Sequence, residues 1–155
     1  MHFLTSRSLL GLFLLSSKKV AGTPTPSPML LSQNKFAQQS STHGINGNAG
    51  SYTTNATNAV DGDTNTFSHT SLEQDPWFEV DLGAMYTITY ITVLNRLDEA
   101  GSRFSDATFQ LFLLDDDYWY QTGLSIVTNG QIGESETFVF GTSFLIVLVH
   151  LFLLL

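Results

Sequence analysis

The chain has 155 residues, enough for one domain with short extensions. Its formal net charge is −8, from six Lys and Arg against fourteen Asp and Glu, which excludes nucleic acid and anionic membrane surfaces as natural partners. It has no cysteine, which excludes disulfides and thiol chemistry and withholds the usual compositional sign of export.

Residues 1–22 nevertheless read as a signal peptide. Arg7 supplies the basic start, Leu9 to Leu15 the apolar run, and Val20-Ala21-Gly22 a small-residue cleavage site. Lys18 and Lys19, between run and cleavage site, are unusual there. The alternative, an N-terminal anchor, would need a longer apolar run to span a bilayer. The expectation is a secreted, extracellular protein. Residues 23–29 form a linker, because alternate prolines in TPTPSP prevent helix and sheet.

The main domain is expected over 30–142. Its first part, to about residue 66, is rich in turn formers and poor in apolar residues, so its polar loops must lie on the surface. Asn55-Ala56-Thr57 is an N-glycosylation acceptor if the chain is exported. Asn58-Ala59-Val60-Asp61-Gly62-Asp63 sets oxygen-bearing residues around a glycine turn, which suits a hard cation such as Ca²⁺. The same residues equally suit turns closed by Asx side chains.

Strands follow. In DPWFEVDLG, Phe78, Val80 and Leu82 alternate with Trp77, Glu79 and Asp81, and Gly83 is expected to end the strand. YTITYITVLN and ATFQLFLL are rich in β-branched and aromatic residues and read as the next two strands. Tyr118-Trp119-Tyr120 reads as a strand or turn packed through its rings, with a sugar-stacking row as the alternative. Helix-period patterns are absent from the middle of the chain, so the fold class is all-β, a sandwich or barrel. Residues 143–155, SFLIVLVHLFLLL, are too few to span as a helix and lack alternation. They could be a buried strand, the tail of a lipid-anchor signal, or sequence foreign to the domain. The expectation is a strand that packs imperfectly or an apolar projection.

One constellation stands out. Past residue 22 the only cations are Lys35, Arg96 and Arg103. His69, Arg96, Asp98 and Arg103 fall in the pattern H-x26-R-x-D-x4-R. If the strands on either side of AGS paired, Arg96 and Arg103 would emerge together at one end of a sheet. Asp98 between them could hold a guanidinium by a bidentate pair. His69 adds an imidazole that can donate or accept. Such fixed donors in an acidic protein suit a small, oxygen-rich, neutral ligand such as a monosaccharide. The bland alternative is a pair of solvated surface arginines and an idle histidine.

The tracts QQSST near residue 40, NAVDGD at 58–63, HTSLEQDPWFEVDLG from His69 to Gly83 and NRLDEAGSR at 95–103 carry a resemblance over residues 31–140. The chain resembles the F-type lectins (fucolectins), a branch of the discoidin-like, coagulation-factor-type C domains. The resemblance implies a jelly-roll β-sandwich whose end loops bind L-fucose on fucosylated glycans. It implies His69, Arg96 and Arg103 as sugar contacts, with Asp98 supporting the arginines. It also implies a structural Ca²⁺ held by Asn58, Asp61, Asp63 and Thr66, partly through main-chain carbonyls. Weak single-site binding would favour a homo-oligomer, and no membrane insertion is expected. The chain departs from relatives at Glu99 and Ala100, where many have linked cysteines. Phe67 replaces a relative's cysteine and could wall the fucose methyl. The loop from Asp63 to His69 is shorter than in some relatives. No closing-strand glutamate is recognisable after Phe140. Three other readings remain. A glycosidase would need paired carboxylates, which no motif here supplies. A discoidin-type membrane or cell-surface adhesion domain and a truncated, non-functional lectin are the others.

Overall fold

The computed structural model describes residues 8–9, 11–16, 29–44, 53–96, 98, 101–102, 104–115, 118–128 and 133–153. Nine strands run through them: β1 (Ser8–Leu9), β2 (Gly11–Ser16), β3 (Met29–Leu30), β4 (Phe36–Gln39), β5 (Ser68–His69), β6 (Trp77–Leu94), β7 (Ala107–Asp115), β8 (Tyr118–Val127) and β9 (Ser135–Leu153). A 3-10 turn, Ala56–Ala59, lies between β4 and β5.

β6 is the spine. Phe78, Val80 and Leu82 are buried in alternation, as the pattern of DPWFEVDLG requires. Gly83 does not end the strand, contrary to the sequence expectation. It takes φ of 72°, and its N–H donates to the Asp81 carboxylate at 2.7 Å. That local bond satisfies the donor at an irregularity, so the chain bends and remains in the sheet. Two register shifts against β9 follow, between Asp81 and Tyr86 and between Ile88 and Tyr90. After the second, the buried parity switches from Ile88 to Ile91 and Val93, as a slipped register demands.

β6 and β7 do not pair with each other, so the pairing entertained from the sequence is not made. β9 lies between them, in the order β3-β2-β6-β9-β7-β8, with β4 also on β6. All these pairings are antiparallel. The first halves of β6 and last halves of β9 sit with β4, β7 and β8, and the opposite halves sit with β2 and β3. One bent ladder thus supplies both layers of a sandwich. Phe109 of β7 meets Phe138 of β9 across the core, ring centroids 4.9 Å apart. Phe104, Phe109, Leu82, Ile88, Ile91, Leu111 and Val80 are fully buried between the layers.

The apolar segments at the two ends enter this ladder. Residues 11–16, inside the segment that reads as an export signal, lie antiparallel to Tyr90–Leu94 of β6. In the intact chain the sheet therefore takes in residues from before position 30. Residues 148–152 of β9 sit between β6 and β7. Deleting residues 143–155 should leave the edges of β6 and β7 unpaired together. The expected outcome is loss of soluble, monodisperse protein in size-exclusion chromatography. Equal yield from the shortened chain would show that the sheet does not need this strand.

Candidate functional site

His69 sits on the two-residue β5 and is fixed through its main chain. Its N–H donates to the Thr54 carbonyl at 3.1 Å, and its carbonyl accepts from the His43 N–H at 2.8 Å. Gln39 Nε2 also donates to that carbonyl at 3.2 Å, and to the Thr54 carbonyl at 3.1 Å. β1 pairs on the other side, with Ser8 opposite His69. The imidazole is edge-on to His43 at 4.6 Å and to Phe67 at 6.4 Å, and the residue is only 6% exposed.

Phe67 links His69 to Arg96. The Arg96 guanidinium carbon stands 4.1 Å from the centroid of the Phe67 ring, a cation–π stack. Asp98 grips the same guanidinium through a fork from Nε and Nη2. Arg96 is thus held on its face by an aromatic ring and along one edge by a carboxylate, and its side chain is 19% exposed. A guanidinium is planar and carries five N–H donors in a fixed fork, two of which go to Asp98 here.

The turn after β6 aims Arg96. Asn95 is buried, its N–H donates to the Glu134 carbonyl at 2.9 Å, and its Nδ2 donates to the Gly101 carbonyl at 2.9 Å. Gly101 N–H donates to the Asp98 carbonyl at 2.9 Å, and Phe104, fully buried, closes the turn on Gly101. A Cβ at position 101 would lie 2.2 Å from the Arg96 carbonyl oxygen, so only glycine fits this approach.

The expected cation ligands also converge. Thr66 Oγ1 lies 2.7 Å from Asp61 Oδ2, 3.0 Å from the Asp63 carbonyl and 3.3 Å from the Asn58 carbonyl. A hydroxyl has one proton, so it can satisfy one of these three acceptors at a time. The donor set is all oxygen, the kind a hard cation takes. Among the described residues no three His, Cys, Asp or Glu side chains gather as a metal cluster, so the set depends on carbonyls. The Asp63 carboxylate accepts from the turn instead: bonds from the Asn65 N–H and then its side-chain amide hold that carboxyl below its ordinary pKa. Asn58 Nδ2 donates to the Phe67 carbonyl at 3.1 Å, which ties this loop to the stacked ring.

The structure therefore unites His69, Phe67, Arg96 and Asp98, and separately Asn58, Asp61, Asp63 and Thr66. Arg103 lies outside the described residues. His43, Gln39 and Thr54 were not singled out from sequence. Gln39 reaches His69 across 30 positions and Thr54 across 15, and no spacing rule links them.

The family described as "NedA-like, galactose-binding domain" matches residues 58–144. The fucolectin of Anguilla anguilla is 36% identical over 90 residues, covering 54% of this chain and 57% of that one. The chain spans about half the length of the curated relatives it matches. A fucose binding module of Streptococcus pneumoniae superposes with a TM-score of 0.64 at 23% identity, over 81% of this chain and 84% of the module. The lectin domain of lectinolysin, solved with Lewis B antigen, gives 0.62 at 24% identity over 79% and 84%. These likenesses agree with the all-β sandwich described above.

Gly101→Ala tests the turn. The added methyl must displace the Arg96 carbonyl, an overpacking expected to cost about 1–3 kcal/mol in urea unfolding. An unchanged midpoint would mean that the turn has slack and does not aim Arg96.

Proposed function

The chain belongs to the NedA-like, galactose-binding domain family, and we propose that it is a non-catalytic lectin for L-fucose on fucosylated glycans. The observation that carries this reading is Arg96, set over the Phe67 ring and gripped by Asp98, with Phe67 in turn edge-on to His69. The spacing of His69, Arg96, Asp98 and Arg103 supports it, as do the fucolectin and fucose-module relatives. In this reading the guanidinium donates to sugar hydroxyls and the ring oxygen. Phe67 offers its free edge to the sugar methyl. Arg103 supplies the second guanidinium. His69 reads the axial hydroxyl that separates galacto-configured sugars from glucose. At 6% exposure it needs its cover to shift first. Cleavage after residue 22 would take β1 off β5 and open that side.

Hydrogen bonds to charged groups contribute about 1.5–3 kcal/mol each, and association costs on the order of 4–15 kcal/mol. One site therefore binds weakly, and useful avidity comes from several copies, as a homo-oligomer would present. The export signal makes the protein secreted, where such glycans are found.

We further propose a structural Ca²⁺ on the carbonyls of Asn58 and Asp63, the Asp61 carboxylate and the Thr66 hydroxyl. The ion would supply the positive charge that these facing oxygens lack. The residues themselves brace Phe67, through the bond from Asn58 to its carbonyl.

Arg96→Lys tests the sugar reading. Charge is kept but the planar fork to Asp98 is lost, and lysine stacks differently on Phe67. Retention on fucose-agarose should fall at least tenfold, and equal retention would show that the guanidinium geometry is irrelevant. A glycan array should concentrate signal on fucosylated structures, with equal signal on glucosides counting against the whole proposal. For the cation, a ligand bound only to the folded state at a hundredfold excess over Kd adds about 2.7 kcal/mol. Chelator should then lower the Tm, and an identical Tm with and without chelator rules the ion out.

A further inference from the structure

We propose that Asn55 carries an N-linked oligosaccharide, placed on the rim of the candidate sugar site. Asn55-Ala56-Thr57 is the one N-x-S/T sequence in the chain. Asn55 and Thr57 are both exposed. Asn55 caps the 3-10 turn with φ −69° and ψ 156°, an extended backbone, and its side chain makes no capping bond. A capping asparagine ordinarily spends its side chain on the turn's N–H groups. Here the amide nitrogen is uncommitted. Ala56 and Ala59 are buried beneath the turn, at 7% and 3% exposure, which pins the turn and leaves Asn55 facing out.

The position has a consequence for the site. The neighbouring Thr54 carbonyl accepts the His69 N–H, and Thr54 Oγ1 donates to the His43 carbonyl at 2.9 Å. The glycan would stem one residue from the main-chain anchor of His69. It would stand on the His69 side of the site. The seven residues from Thr53 to Ala59 carry no charge, so nothing there repels a polar glycan.

The reaction needs a lipid-pyrophosphate-linked oligosaccharide as co-reactant. Asn55 Nδ2 attacks the anomeric carbon and a C–N bond forms. The anomeric C–O bond breaks, the lipid pyrophosphate leaves with its electron pair, and one amide proton passes to base. No oxidant or reductant is involved, and the neutral amide side chain becomes a bulky, solvated one. The proposal rests on export of the chain and not on its sugar specificity.

The test is translation of the full chain with and without endoplasmic-reticulum microsomes, followed by protease and peptide N-glycosidase F. The expected result is one slower-migrating, protease-protected form that collapses with the glycosidase. It should vanish in Asn55→Gln and in Thr57→Ala and persist in Thr57→Ser. Transfer takes place on the nascent chain, so a variant that folds poorly still gives a readout. A protected chain without the mobility shift overturns the proposal. So does a chain that stays accessible to protease, or a shift that survives Asn55→Gln.

Discussion

β6 and β9 exchange main-chain hydrogen bonds from Trp77 to Leu94 on one side and from Ser135 to Phe152 on the other. Backbone groups buried without partners cost free energy, so a long shared ladder constrains everything attached to it. Each strand takes up three more residues than its partner at a different point, which bends both through the sandwich without ending either. β9 then separates β6 from β7, so the turn carrying Arg96 does not join neighbouring strands. It crosses a strand position instead. Asn95 shows the coupling: its N–H bonds to Glu134, just before β9, while its side chain bonds to Gly101.

The stack of Arg96 on Phe67 settles how a cation is kept in an acidic protein. A guanidinium is weakly hydrated for a cation and tolerates an aromatic face, and a forked carboxylate neutralises it. The result is a fixed hydrogen-bond donor of little net charge, because Asp98 stands against it. Lys35, the other described cation past the linker, lies 5.9 Å from the Tyr86 ring and takes no part in this site.

Support for the stack comes from loops, and those loops are closed by side chains more than by the sheet. Gln39 Nε2 reaches the carbonyls of Ser41, Thr54 and His69. Glu73 accepts from the hydroxyls of Ser40 and Ser41. Asn58 joins the oxygen-rich loop to Phe67. Ser, Thr, Asn and Gln compete with regular structure when they bond to nearby backbone, which is why this part of the chain is loop and not strand. The same chemistry brings His43, Thr54 and His69 into one unit that no periodic pattern announces.

The sequence by itself determined the class of the fold and the residue types of the site. Alternation at Phe78, Val80 and Leu82 is a local property, because one strand face must be apolar wherever it packs. Asp98 meets Arg96 two residues away, and Asp61, Asp63 and Thr66 meet within one loop, so short spacing was enough for those contacts. The tertiary structure decided the rest. Gly83 reads as a strand end in sequence, but its N–H bonds to the Asp81 carboxylate and the β9 ladder, broken after Asp81, resumes at Tyr86. The insertion of β9 between β6 and β7 was not legible, because pairing order depends on contacts across some forty residues and not on local propensity. The burial of His69 and the seat of Arg96 on Phe67 were likewise beyond the sequence. A spacing motif names the residues, but whether a ring is open to solvent or stacked under a guanidinium is settled only when distant loops close over it.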